Sequence, residues 1–197
     1  MKTFSSAVLM AAAALFSAQA LAQTPAASAE AAWVSEARNV AAAVPAKLLA
    51  VLQEEMNRGG PEGAVAVCQE KAPAMARAAS EQTGWAIRRV SLRNRNPKAV
   101  PDAWERAALQ DFDRRMAAQE PASKLELAEV TLEDGKPVQR YIRALPTAGL
   151  CLECHGTAER VSPAVAARLK VLYPADLATG YTSGQVRGAI TLRKAQP

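Results

Sequence analysis

The chain has 197 residues, of which 50% are hydrophobic and 22% charged, and its formal net charge is +5. That length suits one domain with a real core, and no stretch beyond the N-terminal segment is apolar enough to cross a bilayer. The charge excess is too mild, and the chain too clearly marked for export, to suggest a nucleic-acid partner.

The marking is at the start. Lys2 supplies a positive n-region, Ala7 to Phe16 an apolar run too short to span a membrane, and Ala20-Leu21-Ala22 a small-x-small cleavage site. Residues 1–22 therefore read as a signal peptide, residues 23–29 as a flexible leader rich in Ala, Ser and Pro, and residues 30–197 as a single domain in the periplasm. Trp33, Ala37, Val40, Ala41, Val44 and Leu48 open a long amphipathic helix that Asn57-Arg58-Gly59-Gly60-Pro61 is expected to end. A second helix follows, bent at Pro73, with Cys68 and Met75 on its inner stripe about 10 Å apart at ~1.5 Å per residue. Trp85 to Leu92 predicts a strand, Arg93 to Lys98 a basic turn-rich loop, and Pro101-Asp102 the start of a third helix that stops before Pro121. Leu125–Leu132 and Val138–Leu145 are strands joined by an Asp134-Gly135 hairpin. Pro163–Tyr173 is a short helix and Val186–Leu192 a last strand. Helices mixed with antiparallel strands define an α+β domain with one modest sheet.

Between hairpin and last helix stands Cys151-Leu152-Glu153-Cys154-His155. Its C-x-x-C-H spacing is the attachment pattern for haem c. Two thiols three residues apart on a helical turn reach the two vinyl groups on one porphyrin edge, and the next residue offers an imidazole to the iron. His155 is the only histidine in the chain, so no other residue can serve as that ligand. Gly156 is expected to let the backbone pass close to the macrocycle. One haem c leaves Cys68 as the odd cysteine of an oxidising compartment. Opposite His155 the sixth position is left to Cys68, to Met75 or to no protein ligand. Cys68, Cys151, Cys154 and His155 also number the four ligands of a structural zinc, although adjacent Cys154 and His155 rarely fit one tetrahedron. A Cys-x-x-Cys dithiol is a further reading, although its place after a hairpin is unlike a thioredoxin.

Several stretches taken together resemble a family of single-haem c-type proteins with a PAS-like fold. They are Val67-Cys68-Gln69-Glu70-Lys71-Ala72-Pro73, Arg89 to Pro97 with Pro101 to Glu105, the haem motif with Gly156, Tyr173 to Tyr181, and Gly184 to Ile190. The resemblance implies a PAS-like antiparallel sheet with a long N-terminal helix and flanking helices, and an iron held between His155 and Cys68. Thiolate ligation stabilises ferric iron and lowers the potential, whereas methionine raises it. Among Arg88, Arg89, Arg93 and Arg95, a guanidinium clamp on the haem propionates is expected, with Arg93 and Arg95 preferred because the resemblance falls on them, and Arg187 as a further candidate. Trp85, Trp104, Tyr141, Tyr173 and Tyr181 are candidate walls.

No catalytic constellation is legible, and the chain is not expected to be an enzyme. The expected function is that of an exported, soluble monohaem c-type cytochrome in one-electron transfer or redox sensing, with a redox or signalling protein as partner. The alternative is a haem-based gas or redox sensor module signalling through a separate partner protein. The N-terminal helix is expected to pair with a second copy in a homodimer or to pack on its own sheet.

Overall fold

The breaker at Asn57–Pro61 bends the first helix where it was expected to end it. The computed structural model describes residues 31–196, so the signal peptide and leader lie outside the described residues. Helix α1 runs Ala32–Ala66, and its one non-helical residue is Gly60, at φ 67° and ψ −174°. Glycine takes that positive φ at little cost, and Pro61 then begins the resumed helix, where its missing N–H has no bond to lose.

Beyond Ala66 the helix widens into a π turn, Val67–Lys71, before tightening again as α2, Ala72–Thr83. Pro73 explains the widening. The Ala72 N–H bonds the Val67 carbonyl, not the Cys68 carbonyl it would serve in an α-helix. The next donor along the wide register would be Pro73, which has no N–H. The bend expected at Pro73 is thus realised as a wide turn that carries Cys68. The π turn interrupts the regular helical stripe between Cys68 and Met75. Helix α2 ends at Gly84, left-handed at φ 72°.

Strands β1 (Ala86–Val90), β2 (Glu126–Glu133), β3 (Lys136–Pro146) and β4 (Val186–Ala195) form one antiparallel sheet in the order β1-β4-β3-β2. The β2–β3 turn has Asp134 at φ 51° and Gly135 at φ 74°, the pair of positive values a two-residue hairpin demands. Helix α3 spans Ala103–Ala117 and starts with a capping box in which the side chains of Asp102 and Glu105 bond each other's backbone N–H. A single turn, α4, covers Leu152–His155, and α5 covers Pro163–Leu172. The α+β class expected from the sequence is the one observed, with the long N-terminal helix laid on the sheet.

Strand alternation divides the sheet into two faces. Val90, Ile142, Ala144 and Ala189 point toward α3 and close a core with Leu109, Phe112 and Leu125. Ile87, Tyr141, Ile190 and Leu192 point the other way, against Ala37 and Ala41 of α1 and the ring of Trp85. The inner face of α1 is therefore occupied by its own sheet along this stretch. Farther along, Val65 of α1 packs on Val165, Leu169 and Tyr173, with Cys154 beside them. Among the described residues no helix is long and apolar enough to cross a membrane.

Candidate haem site

The strand β3 delivers the chain through Thr147 to the turn that carries the three motif side chains. Cys151, Cys154 and Cys68 are free thiols, each half-buried, and His155 is buried at 8% exposure. The imidazole is fixed by its Nδ1, which donates to the Ala178 carbonyl at 2.6 Å. That bond leaves Nε2 as the free lone pair, the tautomer a metal ligand needs. Burial, reinforced by the nearby Arg95 charge, pushes the imidazole down to about 3, so it is neutral across the physiological range.

The loop after α5 is held in place to make that bond. Arg95 Nε donates to Asp176 Oδ2 at 2.9 Å and its Nη2 to the Cys154 carbonyl at 2.6 Å and the Ala178 carbonyl at 3.3 Å. Asp176 Oδ1 in turn accepts from the Ala178 N–H at 2.8 Å. Arg93 donates to the carbonyls of Leu177 and Thr179 and stacks 4.4 Å over the Tyr181 ring. The Tyr181 N–H reaches the His155 carbonyl at 2.9 Å. Arg93 and Arg95 thus tie Tyr173–Tyr181 to the motif, work that reading them as propionate clamps did not anticipate. Arg88 points to the opposite face of the sheet, donating to Glu105 and to the Val100 carbonyl, each at 2.7 Å.

The residues fit a covalently attached haem. Two free thiols and a neutral, oriented imidazole lie on one turn, with a third thiol on the π turn. Gly156 serves the turn itself: at φ −69° its backbone is ordinary, but a Cβ would meet the Leu152 carbonyl at 2.5 Å. The competing readings fare worse. Among the described residues no three His, Cys, Asp or Glu side chains are grouped to hold a metal ion between them, which a zinc site requires. Burial pushes the Cys154 thiol up to about 11, the reverse of the lowered thiol that a dithiol redox site uses.

Of the candidate aromatic walls, Tyr173 and Tyr181 border the motif. Trp85 is core, its Nε1 donating to Glu36 at 2.9 Å. Tyr141 is core too, its hydroxyl on Glu126 at 2.6 Å, and Trp104 flanks the α3 core. Sequence reasoning missed the Ala178 carbonyl, since a backbone acceptor in a loop leaves no side-chain signal.

Fold and site together define an α+β protein built around a thiol pair and a buried neutral histidine. The chain belongs to the Tll0287-like family, whose profile matches residues 11–194. It is also similar to a solved structure, the crystal structure of the cyanobacterial heme-protein Tll0287. The identity is 26% and the TM-score 0.53, over 66% of this chain and 73% of that one. A comparison with curated proteins returns no match.

Proposed function

We propose that this chain is an exported monohaem c-type cytochrome, with Cys151 and Cys154 as the thioether attachments, His155 as the proximal iron ligand and Cys68 as the distal one. The observation that carries the reading is His155 itself, buried, neutral and held through Nδ1 by Ala178 beside two free thiols. Its likeness to a heme-protein of known structure supports the cofactor.

When bound, haem supplies a one-electron iron couple. The protein's part is to set it. Ala178 fixes the imidazole tautomer and raises its basicity, and Arg95 holds Ala178 through Asp176. Cys68 as thiolate favours the ferric state and lowers the potential. One-electron transfer or redox sensing with a partner protein follows from such a site.

A second reading, a gas or redox sensor signalling through a separate protein, is favoured by the π turn under Cys68. Wide turns have weaker helical geometry than regular ones, and a ligand carried on one is easier to release. Staining for haem after denaturing electrophoresis tests the covalent link, because only thioether-bound haem stays with the band. Ferric EPR should show a low-spin thiolate signal that Cys68→Ala abolishes; an unchanged signal removes Cys68 from the iron. A reduced protein that takes up CO supports the sensor, and one inert to CO supports the carrier.

A further inference from the structure

The sheet register brings three arginines and a threonine together on the face that α3 covers. Arg88 of β1 stands opposite Thr191 of β4, and Arg140 of β3 stands opposite Arg193, two residues farther along β4. Opposed residues share a face, and a strand repeats its facing every second residue, so all four side chains rise from one side of the sheet. Beside the start of α3 they line a cavity of about 410 Å³, together with Asp102 and Glu105. Like charges directly opposite each other are destabilising, so arginines set in this way call for anions.

The carboxylates the chain supplies do not use up the donors. Asp102 accepts from Arg140 Nη2, Glu105 from Arg88 Nη2, and Glu133 from Nε and Nη2 of Arg193. Those ion pairs hold the scaffold. They leave Arg140 Nε buried with no hydrogen-bond partner, on a side chain only 8% exposed. Thr191 is 2% exposed, and among the described residues its hydroxyl makes no hydrogen bond. Glu133 Oε1 also lacks a hydrogen bond, but it lies 3.4 Å from Arg140 Nη1 in an ion pair. Arg88 and Arg193 line the cavity with side chains 45% and 52% exposed, so an entering ligand meets them from water. Buried donors without an acceptor are costly, and what this cavity lacks is an acceptor that carries negative charge.

We propose that the cavity binds a small organic carboxylate, held by the arginine forks with the Thr191 hydroxyl as a neutral donor. A guanidinium meets a carboxylate in two-point fashion. The volume falls in the range of small-molecule sites and exceeds what an inorganic oxyanion fills, which favours an organic anion. The inference stands independently of the haem reading.

Calorimetric titration of the haem-loaded protein with propionate, succinate and inorganic phosphate tests it. Propionate or succinate should bind, and more weakly as salt is raised. Arg88→Gln, at a partly exposed position, should weaken that binding about tenfold. Thr191→Val, which exchanges only the hydroxyl for a methyl, should weaken it by a smaller factor. Arg114→Gln, a cation on the exposed side of α3, should leave it unchanged. These two positions are chosen over Arg140, whose loss would strand buried carboxylates. No carboxylate binding at millimolar concentration, unchanged affinity in Arg88→Gln or Thr191→Val, or an equal loss in Arg114→Gln would overturn the inference. Phosphate binding without carboxylate binding would overturn the ligand class.

Discussion

Each face of the sheet holds an arginine, and the two are in opposite situations. Arg140 on β3 faces α3 with its side chain 8% exposed. It meets Asp102 at 2.5 Å, Glu133 at 3.4 Å and Glu105 at 3.6 Å and lies 4.4 Å over the Trp104 ring. Arg89 on β1 lies on the face toward α1 and α2, half-buried, and among the described residues it has no ion pair with a carboxylate. A buried charge is tolerated when counter-charges and hydrogen bonds surround it. The α3 face supplies those counter-charges from its own residues, leaving the buried Arg140 Nε without a hydrogen-bond partner, and so reads as scaffold. Arg89 on the other face has no such partners, and its half-buried side chain keeps access to water.

Substitutions on the two faces should separate stability from spectrum. Phe112→Ala, in the α3 core at 0% exposure, is expected to cost about 3–5 kcal/mol in urea unfolding while leaving the ferric absorption and EPR spectra unaltered. A spectral change in that variant would show that the faces are coupled. Arg95→Gln should do the converse: a cost of about 1.5–3 kcal/mol from the lost charge-assisted bonds to half-buried Asp176, together with an altered ferric spectrum as Ala178 loosens from His155. A stability loss with an intact spectrum would mean that Arg95 has no part in orienting the imidazole.

The smallest effect concerns the closed end of the α1 face, where Glu126 accepts from Arg38 Nε at 2.9 Å and from the Tyr141 hydroxyl at 2.6 Å. Burial would raise its carboxyl, but these bonds outweigh burial and the net movement is below the usual carboxylate range. A group so lowered contributes stability above its unfolded pKa and loses it as the pH falls through the folded one. The contribution, about 1.5–3 kcal/mol for hydrogen bonds to a charged group, should be present at neutral pH and fade below about pH 4. Unfolding midpoints of the protein and of Glu126→Gln, measured across that range, should converge on acidification. Parallel curves would mean that Glu126 is not the titrating group.

Local patterns foretold much of this. The Asp134-Gly135 hairpin, the start of α3 at Asp102 and the start of α5 at Pro163 are local events, written in residues within one turn of one another, and all appear where the sequence places them. The first helix was read less well. Gly59-Gly60-Pro61 is a breaker in isolation, yet packing on both sides lets α1 resume after one residue. The π turn was also hidden, because Pro73 signals a bend without saying which hydrogen bonds will be given up.

The sequence alone determined the chemistry on offer: a C-x-x-C-H turn, one histidine and one leftover thiol, all carried by residue identity and spacing. It determined too that Arg88 and Arg89 point to opposite faces, since a strand alternates with period two. Which of those faces carries the site was decided only by where α1 and the π turn come to rest, a matter of contacts between residues far apart in the chain. The same holds for the Ala178 carbonyl that orients His155 from 23 positions away. Such contacts depend on the closed fold, and no local run of residues specifies them.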